Sequence, residues 1–359
     1  MKNSYNKNIE KYFLTLDASV KQAIRKMKKI GEKVLFVIDD KNTLIGAISD
    51  GDIRKWILSD QSLNDPVDRI CNKNPKYVHE DYELKTVKNL MLDLRIESVP
   101  VLNFENVIID VLVWDKVFRD GIVKPKKKIS IPVVIMAGGK GIRLDPFTRI
   151  LPKPLIPIGE RTILEIIMDS FYEYQVSAFY LSVYHKANLI KAYLEEMTDR
   201  YNIQYIEEDK PLGTAGSLKF LLKTPHKQFF VTNCDIIIET DHAEIVAHHD
   251  ENRYDLTLVV SHMNYQIPYG VCTILNGGVL KNITEKPTYD FLVNTGMYII
   301  GRKVLDLIPD DLNCDIPELI KTAQKKGLRV GVFPVDDKSW IDIGQWKEYH
   351  AAIEKMNLL

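Results

Sequence analysis

A mostly parallel α/β sheet, preceded by a smaller α+β repeat, is the fold this sequence predicts, and three observations carry it. From residue 131 onward, β-branched apolar runs alternate with stretches of helical period. Ahead of them lies a block that occurs twice at an offset of 64 residues. Directly after the first strand of the second half sits a glycine-rich turn. Strand and helix in alternation put helices on both faces of a parallel sheet, whose ligands bind beyond the carboxyl ends of the strands.

The repeat pairs Leu35-Phe36-Val37-Ile38-Asp39 with Val99-Pro100-Val101-Leu102-Asn103, after which Ile48 meets Leu112 and Ile53 meets Val117. Each copy reads as a helical stretch, a hydrophobic strand, a polar turn, a second strand and a helix start. We place this module at residues 1–122. The basic run Lys124-Pro125-Lys126-Lys127-Lys128 marks a solvated linker over 123–130, and the larger domain spans 131–359. Within it the pattern predicts strands at 131–137, 178–183 and 228–232 and helices at 162–174 and 187–196.

The first of these strands empties into Ala137-Gly138-Gly139-Lys140-Gly141-Ile142-Arg143-Leu144. Main-chain N–H groups and two cations converge there, and residues without Cβ let the chain wrap closely around phosphate oxygens. Pro152-Lys153-Pro154 follows, a further cation in a stiff extended frame. Read blandly, the same residues are a tight strand-to-helix turn with solvated charges. Gly139-Lys140-Gly141-Ile142-Arg143-Leu144 lacks the third glycine of a dinucleotide-binding turn, which counts against a dehydrogenase.

Phe229-Phe230-Val231-Thr232-Asn233-Cys234-Asp235 is a buried strand ending in a carboxylate, where an open sheet presents a metal ligand. Mg²⁺ takes hard oxygens and often only one or two protein carboxylates. Asp342, in Trp340-Ile341-Asp342-Ile343-Gly344, is the second candidate. An isolated Asp at a strand end otherwise forms turns or caps helices. Leu212-Gly213-Thr214-Ala215-Gly216-Ser217 leads into a helix and leaves room for a planar base against the backbone, although Thr214 would equally serve as a cap.

The Gly-Gly-x-Gly-x-Arg-Leu loop with its following Lys-Pro resembles the signature of the sugar-1-phosphate nucleotidyltransferases, over residues 131–359. The resemblance implies a Rossmann-like, GT-A-like catalytic domain that uses Mg²⁺ on Asp235 and Asp342. It places the nucleotide on Ala137, Gly138, Gly139, Gly141, Gly213, Thr214, Ala215 and Gly216, and the form Gly-Thr-Ala-Gly favours GTP. Glu285-Lys286-Pro287 resembles the family's Glu-Lys-Pro, with Lys286 on the sugar phosphate and Glu285 on the sugar ring. Tyr269, Gly270, Asn294, Thr295 and Gly296 match the segments that line the sugar pocket.

The implied reaction is attack of a sugar-1-phosphate oxygen on the α-phosphorus of a nucleoside triphosphate. Its barrier is electrostatic and orientational, and cations rather than a protein nucleophile lower it. Arg143, Lys153 and Lys286 are the expected catalytic cations. The first repeat, through Leu44 to Arg54, resembles the cystathionine-β-synthase (CBS) motif of tandem regulatory modules, implying a ligand site at Ser49 and Asp52 for an adenine nucleotide or pathway product and self-association into a homo-oligomer. The second copy has Val113 and Lys116 at those positions. Together the two modules resemble bacterial guanylyltransferases that act on glucosamine-1-phosphate for legionaminic acid synthesis. A thymidylyl- or uridylyltransferase, or a nucleotide sensor, is the alternative.

Composition narrows the partners. With 48 Lys+Arg against 49 Asp+Glu the formal net charge is −1, so no global basic field recruits nucleic acid. Cys71, Cys234, Cys272 and Cys314 are scattered without a C-x-x-C, which argues against zinc and disulfides. No apolar run reaches about 18 residues. Residues 1–8 lack an apolar signal core, so a cytoplasmic protein without membrane contact is expected.

Overall fold

The computed structural model describes residues 9–94, 96–117, 126–176, 178–310, 313–336 and 339–356. The chain divides into two compact units, residues 1–125 and 126–359.

In the first unit the order is β1 (Phe13–Thr15), α1 (Val20–Ile30), β2 (Val34–Ile38), β3 (Leu44–Ser49), α2 (Asp50–Leu58), β4 (Val78–His79), α3 (Leu84–Leu94), β5 (Ser98–Leu102), β6 (Ile108–Val113) and α4 (Trp114–Val117). Both inner strands and the first long helix of one copy map onto the other at the offset of 64, and α4 begins where α2 does. Each copy is a three-stranded sheet, β1-β2-β3 and β4-β5-β6. The turns obey the same rule. Asp39 Oδ1 accepts from the Lys41 and Thr43 amides, and Asn103 Oδ1 accepts from those of Glu105 and Val107. Asn42 and Asn106 both take the left-handed conformation at φ 61°, which Asn tolerates better than most residues. The two turns then bond to each other reciprocally, Leu44 N–H to Asn106 O and Ile108 N–H to Asn42 O.

The second unit runs β7 (Val133–Met136), α5 (Phe147–Ile150), β8 (Pro157–Ile158), β9 (Arg161–Thr162), α6 (Ile163–Tyr172), β10 (Phe179–Val183), α7 (Ala187–Glu195), β11 (Ile203–Glu207), β12 (Gln228–Asn233), β13 (Ile236–Ile238), α8 (His242–Glu251), β14 (Leu256–Gln266), β15 (Val271–Ile274), β16 (Leu280–Thr284), β17 (Thr288–Gly301), α9 (Arg302–Leu305), α10 (Ile316–Lys325), β18 (Val330–Val335), β19 (Trp340–Asp342) and α11 (Trp346–Met356). A seven-stranded sheet in the order β11-β10-β7-β12-β17-β14-β18 forms its frame. The first four strands are mutually parallel and β17 alone runs against its neighbours. Buried clusters cover both faces, one around Phe171, Phe230 and Ile299, the other around Phe229, Tyr298 and Leu319. This is the expected mostly parallel α/β architecture.

Thr162 opens α6 with a reciprocal capping box, its hydroxyl accepting from the Glu165 amide while Glu165 accepts from the Thr162 amide. The segment after Gly216 forms a 3₁₀ helix, Gly216–Lys223, without a side-chain cap. Beyond the sheet, the far ends of β14 and β17 continue as a two-stranded ribbon, Tyr265 opposite Tyr289. The hairpin β15–β16 hangs between them. Every residue from 272 to 286 is exposed.

Candidate active site

Four parallel strands end at one place, and a cleft of about 490 Å³ opens there. The β7 end contributes Met136, Gly138 and the turn to Arg143; β10 contributes Tyr184, β11 Glu208, and β12 Asn233 to Asp235. Lys153 and the segment Pro211 to Thr214 complete the wall. The strand order reverses around β7, which has β10 and β11 to one side and β12 to the other, and that is where open α/β sheets bind ligands.

The glycines are required at specific points. Gly141 sits at φ +64°, and a Cβ there would come within 2.9 Å of Thr148 Cγ2 and 3.0 Å of Lys153 Cβ, so its absence lets the lysine pack under the turn. A Cβ on Gly139 would meet nothing within 4 Å, leaving open backbone beside the cleft. Behind the turn, the Lys186 ammonium donates to the carbonyls of Thr148 and Arg149. The Trp346 indole donates to the Asp145 carbonyl at 2.9 Å. Both hold the segment that follows Arg143.

Lys153 is buried, and its ammonium forms an ion pair with Asp235, which is buried too. Asp342 lies alongside because β13 and β19 pair with Ile236 opposite Asp342. The Ile343 amide donates to the Asp235 carbonyl and fixes that register. Burial, and then the negative charge of Asp235, push the Asp342 carboxyl above its ordinary range. The Gly344 amide, Lys153 and Arg143 pull it the other way. A Cβ on Gly344 would stand 2.7 Å from Asp342 Oδ1 and 3.6 Å from an Arg143 guanidinium nitrogen, so arginine and carboxylate are neighbours. Two hard-oxygen carboxylates, Asp235 just ahead of β13 and Asp342 at the end of the paired β19, fit a magnesium ion. Among the described residues no group of three or more His, Cys, Asp or Glu is assembled for a metal, consistent with a site completed by water and phosphate. Burial pushes the Cys234 thiol up to about 12, so thiolate chemistry has no place here.

Several expected nucleotide contacts turn away. Ala137 is fully buried, its amide donating to the Ser182 carbonyl as an extension of the sheet. Ala215 and Gly216 are buried in the core, so of Gly-Thr-Ala-Gly only Gly213 and Thr214 reach the cleft. Small residues there serve close packing: Gly213, at φ +77°, has no room for a side chain, since a Cβ would stand 2.5 Å from Cys314 O. Thr214 does not cap its own helix. It bonds to Asp315 and accepts from the Ile316 amide, tying the wall to the start of α10.

The expected sugar contacts divide as well. Gly296, at φ +89°, faces the Asn233 side chain, placing β17 against the cleft. Thr295 is buried with its hydroxyl donating to the Val259 carbonyl, and the Asn294 amide donates to Tyr298, so both are structural where pocket contacts are expected. Tyr269, Gly270, Glu285 and Lys286 lie around the hairpin, outside the cleft lining, with Tyr269 74% exposed. In the first unit, Ser49 and Asp52 satisfy each other. The Ser49 hydroxyl donates to Asp52 Oδ2 at 2.6 Å and accepts from the Asp52 amide, a capping box at the start of α2 in place of the expected ligand contacts.

Sequence reasoning missed Tyr184, Asn233 and above all Glu208. The Ser182 hydroxyl donates to Glu208 Oε1 at 2.5 Å and the Leu212 amide to Oε2 at 3.2 Å, while Ser182 accepts from the Ser217 hydroxyl at 2.8 Å. The carboxylate is thereby held beside Gly138, whose Cβ would stand 3.2 Å from it.

The description "Nucleotidyl transferase" matches residues 132–357, and "CBS domain" matches residues 8–59. The mannose-1-phosphate guanyltransferase of Yarrowia lipolytica is 31% identical over 226 residues, 60% of this chain and 61% of that protein. That of Saccharomyces cerevisiae is 30% identical over 230 residues, with 60% and 62% covered. The chain thus spans about three fifths of the length of these curated relatives. Among solved structures, HddC from Yersinia pseudotuberculosis superposes with a TM-score of 0.51 at 27% identity, over 63% of this chain and 99% of that one.

Proposed function

The chain belongs to the nucleotidyl transferase family, with a CBS domain at residues 8–59, and from that premise we propose that it transfers GMP from GTP to a sugar-1-phosphate and releases pyrophosphate. The observation that carries this reading is the meeting of Arg143, Lys153, Asp235 and Asp342 at the switch point of the sheet.

In the proposed reaction a phosphate oxygen of the sugar-1-phosphate attacks the α-phosphorus. The new O–P bond forms in line as the bond from the α-phosphorus to the bridging oxygen breaks, and that electron pair leaves on pyrophosphate. The nucleophile is already anionic, so no general base is needed. Arg143 and the amides of Gly138, Gly139 and Gly141 take the leaving group, for which a planar guanidinium is suited. Lys153 neutralises the α-phosphate, and Lys286 holds the attacking phosphate. The left-handed backbone of Lys286, φ 45°, is the kind of local cost that clusters at ligand contacts. Mg²⁺, held by Asp235 and Asp342 when bound, would supply further charge neutralisation.

Glu208 supports guanine as the base. Guanine presents two adjacent donors, N1–H and the N2 amine, which a carboxylate accepts as a pair. Uracil and thymine offer one N–H between two carbonyl oxygens, which a carboxylate repels. The mannose-1-phosphate guanyltransferases among the relatives agree with that preference. For the sugar we propose a hexose or hexosamine 1-phosphate, glucosamine-1-phosphate first, and for the first unit a regulatory or self-associating role.

The test is a matrix of five nucleoside triphosphates against hexose and hexosamine 1-phosphates, followed by pyrophosphate release. GTP should lead every row, and equal rates with UTP or dTTP would overturn the base assignment. Glu208→Gln should cut kcat/KM for GTP by about 10- to 100-fold and narrow its lead over the other triphosphates.

A further inference from the structure

The Lys153 ammonium is bound to one of the two carboxylates proposed to hold a divalent ion. Its partner is Asp235, both side chains at about a tenth exposure, and Asp342 stands on the adjoining strand. The placement is built in: the missing Cβ of Gly141 makes room for the lysine stem, and Pro152 and Pro154 fix the backbone on either side. Arg143, beside Asp342, adds a second positive charge to the same few ångströms. A dication entering this arrangement would meet two monocations at short range in a largely buried site, where charges are weakly screened.

We infer that Lys153 is a resident counter-ion that keeps the Asp235–Asp342 pair closed to divalent metal until a nucleoside triphosphate arrives. The phosphates offer the ammonium a new anionic partner, so lysine and metal change places in a single binding event. Metal affinity and nucleotide affinity are then reciprocally coupled, with Lys153 as the positioning residue that carries the coupling. This rests on the proposed metal role of Asp235 and Asp342. It adds an order: free metal does not load first.

The test is titration of nucleotide-free, chelator-stripped protein with Mn²⁺, read by loss of the free-ion electron paramagnetic resonance signal. Wild type should bind weakly. Lys153→Met should bind about 10- to 100-fold more tightly, the range of ordinary site-to-site coupling. Lys153→Arg, which keeps the charge, should stay weak, and adding Asp235→Asn to Lys153→Met should abolish the gain. Wild type and Lys153→Met binding Mn²⁺ equally would overturn the inference. Should Lys153→Met fail to fold, wild type against Asp235→Asn still decides, because tight nucleotide-free binding by wild type that Asp235→Asn removes has the same overturning force. No substrate is present in the titration, so wild-type pyrophosphate release, assayed on the same preparation, separates failure of this inference from failure of the transferase reading.

Discussion

At the cleft, groups from strand ends and the loops beside them are already joined to one another: Lys153 to Asp235, Glu208 to Ser182 and the Leu212 amide, Thr214 to Asp315. Around the hairpin, Tyr269, Glu285 and Lys286 stand exposed in the segments that flank β15 and β16, two strands paired only with each other. An isolated two-stranded hairpin is marginally stable in water. The contrast assigns the two ends different work. On the proposed function, the cleft is preorganised for the nucleotide, whereas the arm offers its exposed side chains to the second substrate.

The sharpest way to break that contrast is at its most connected residue. Asp235→Asn should lower pyrophosphate release roughly 10²- to 10³-fold, the scale of losing one preorganised charge partner, while circular dichroism shows a folded protein. Retained turnover would remove Asp235 from the machinery and leave the cleft no more specialised than the arm.

Beneath the cleft lies a core that the arm lacks. His242 is buried against Phe171 at 4.4 Å, its Nδ1 at 2.9 Å from the Thr240 carbonyl and its Nε2 without a partner. Burial lowers its pKa to about 4, so between pH 6.5 and 4 the unfolded chain binds the proton that the folded one refuses. The stability this histidine contributes is complete above pH 6.5 and is lost on acidification, by about 3 kcal/mol at most. Denaturant titrations at pH 7 and 4.5 should show a smaller acid loss in His242→Phe than in wild type.

Lys286→Ala probes the arm. It should raise KM for the sugar phosphate about 10- to 100-fold and leave KM for GTP within about twofold, as expected of a charge-assisted contact made to one substrate. A parallel rise in both constants would show that arm and cleft act as one. The smallest effect belongs at the root of the arm, where Thr295→Val removes the hydroxyl bonded to Val259. Stability should drop by about 1 kcal/mol with the sugar KM unchanged, reversing the role its motif suggests.

Much of the cleft was legible because its parts lie close in sequence or carry unambiguous chemistry. Gly141, Arg143 and Lys153 fall within one run of 13 residues, Asp235 follows a hydrophobic strand by two residues, and Asp342 ends another. The repeat was legible to the residue, since period and turn chemistry agreed. Glu208 was not, because Glu207, Glu208 and Asp209 look alike in sequence and only the approach of Ser182 and Leu212 singles one out. Ala137, Ala215 and Gly216, expected at the nucleotide, are buried in the structure, and their burial was not legible for a related reason. A small residue in a motif serves ligand approach and core packing equally well, and only the burial of its neighbours tells which.

β17 begins at Thr288 in the exposed ribbon and ends at Gly301 in the middle of the main sheet, passing Gly296 beside Asn233 on the way. Arm and cleft are therefore threaded on one beam. For an engineer this sets a boundary: if the proposed function holds, residues 267–287 are the cassette to exchange when retargeting the acceptor, and a graft reaching past Thr288 would pull a plank from under the cleft.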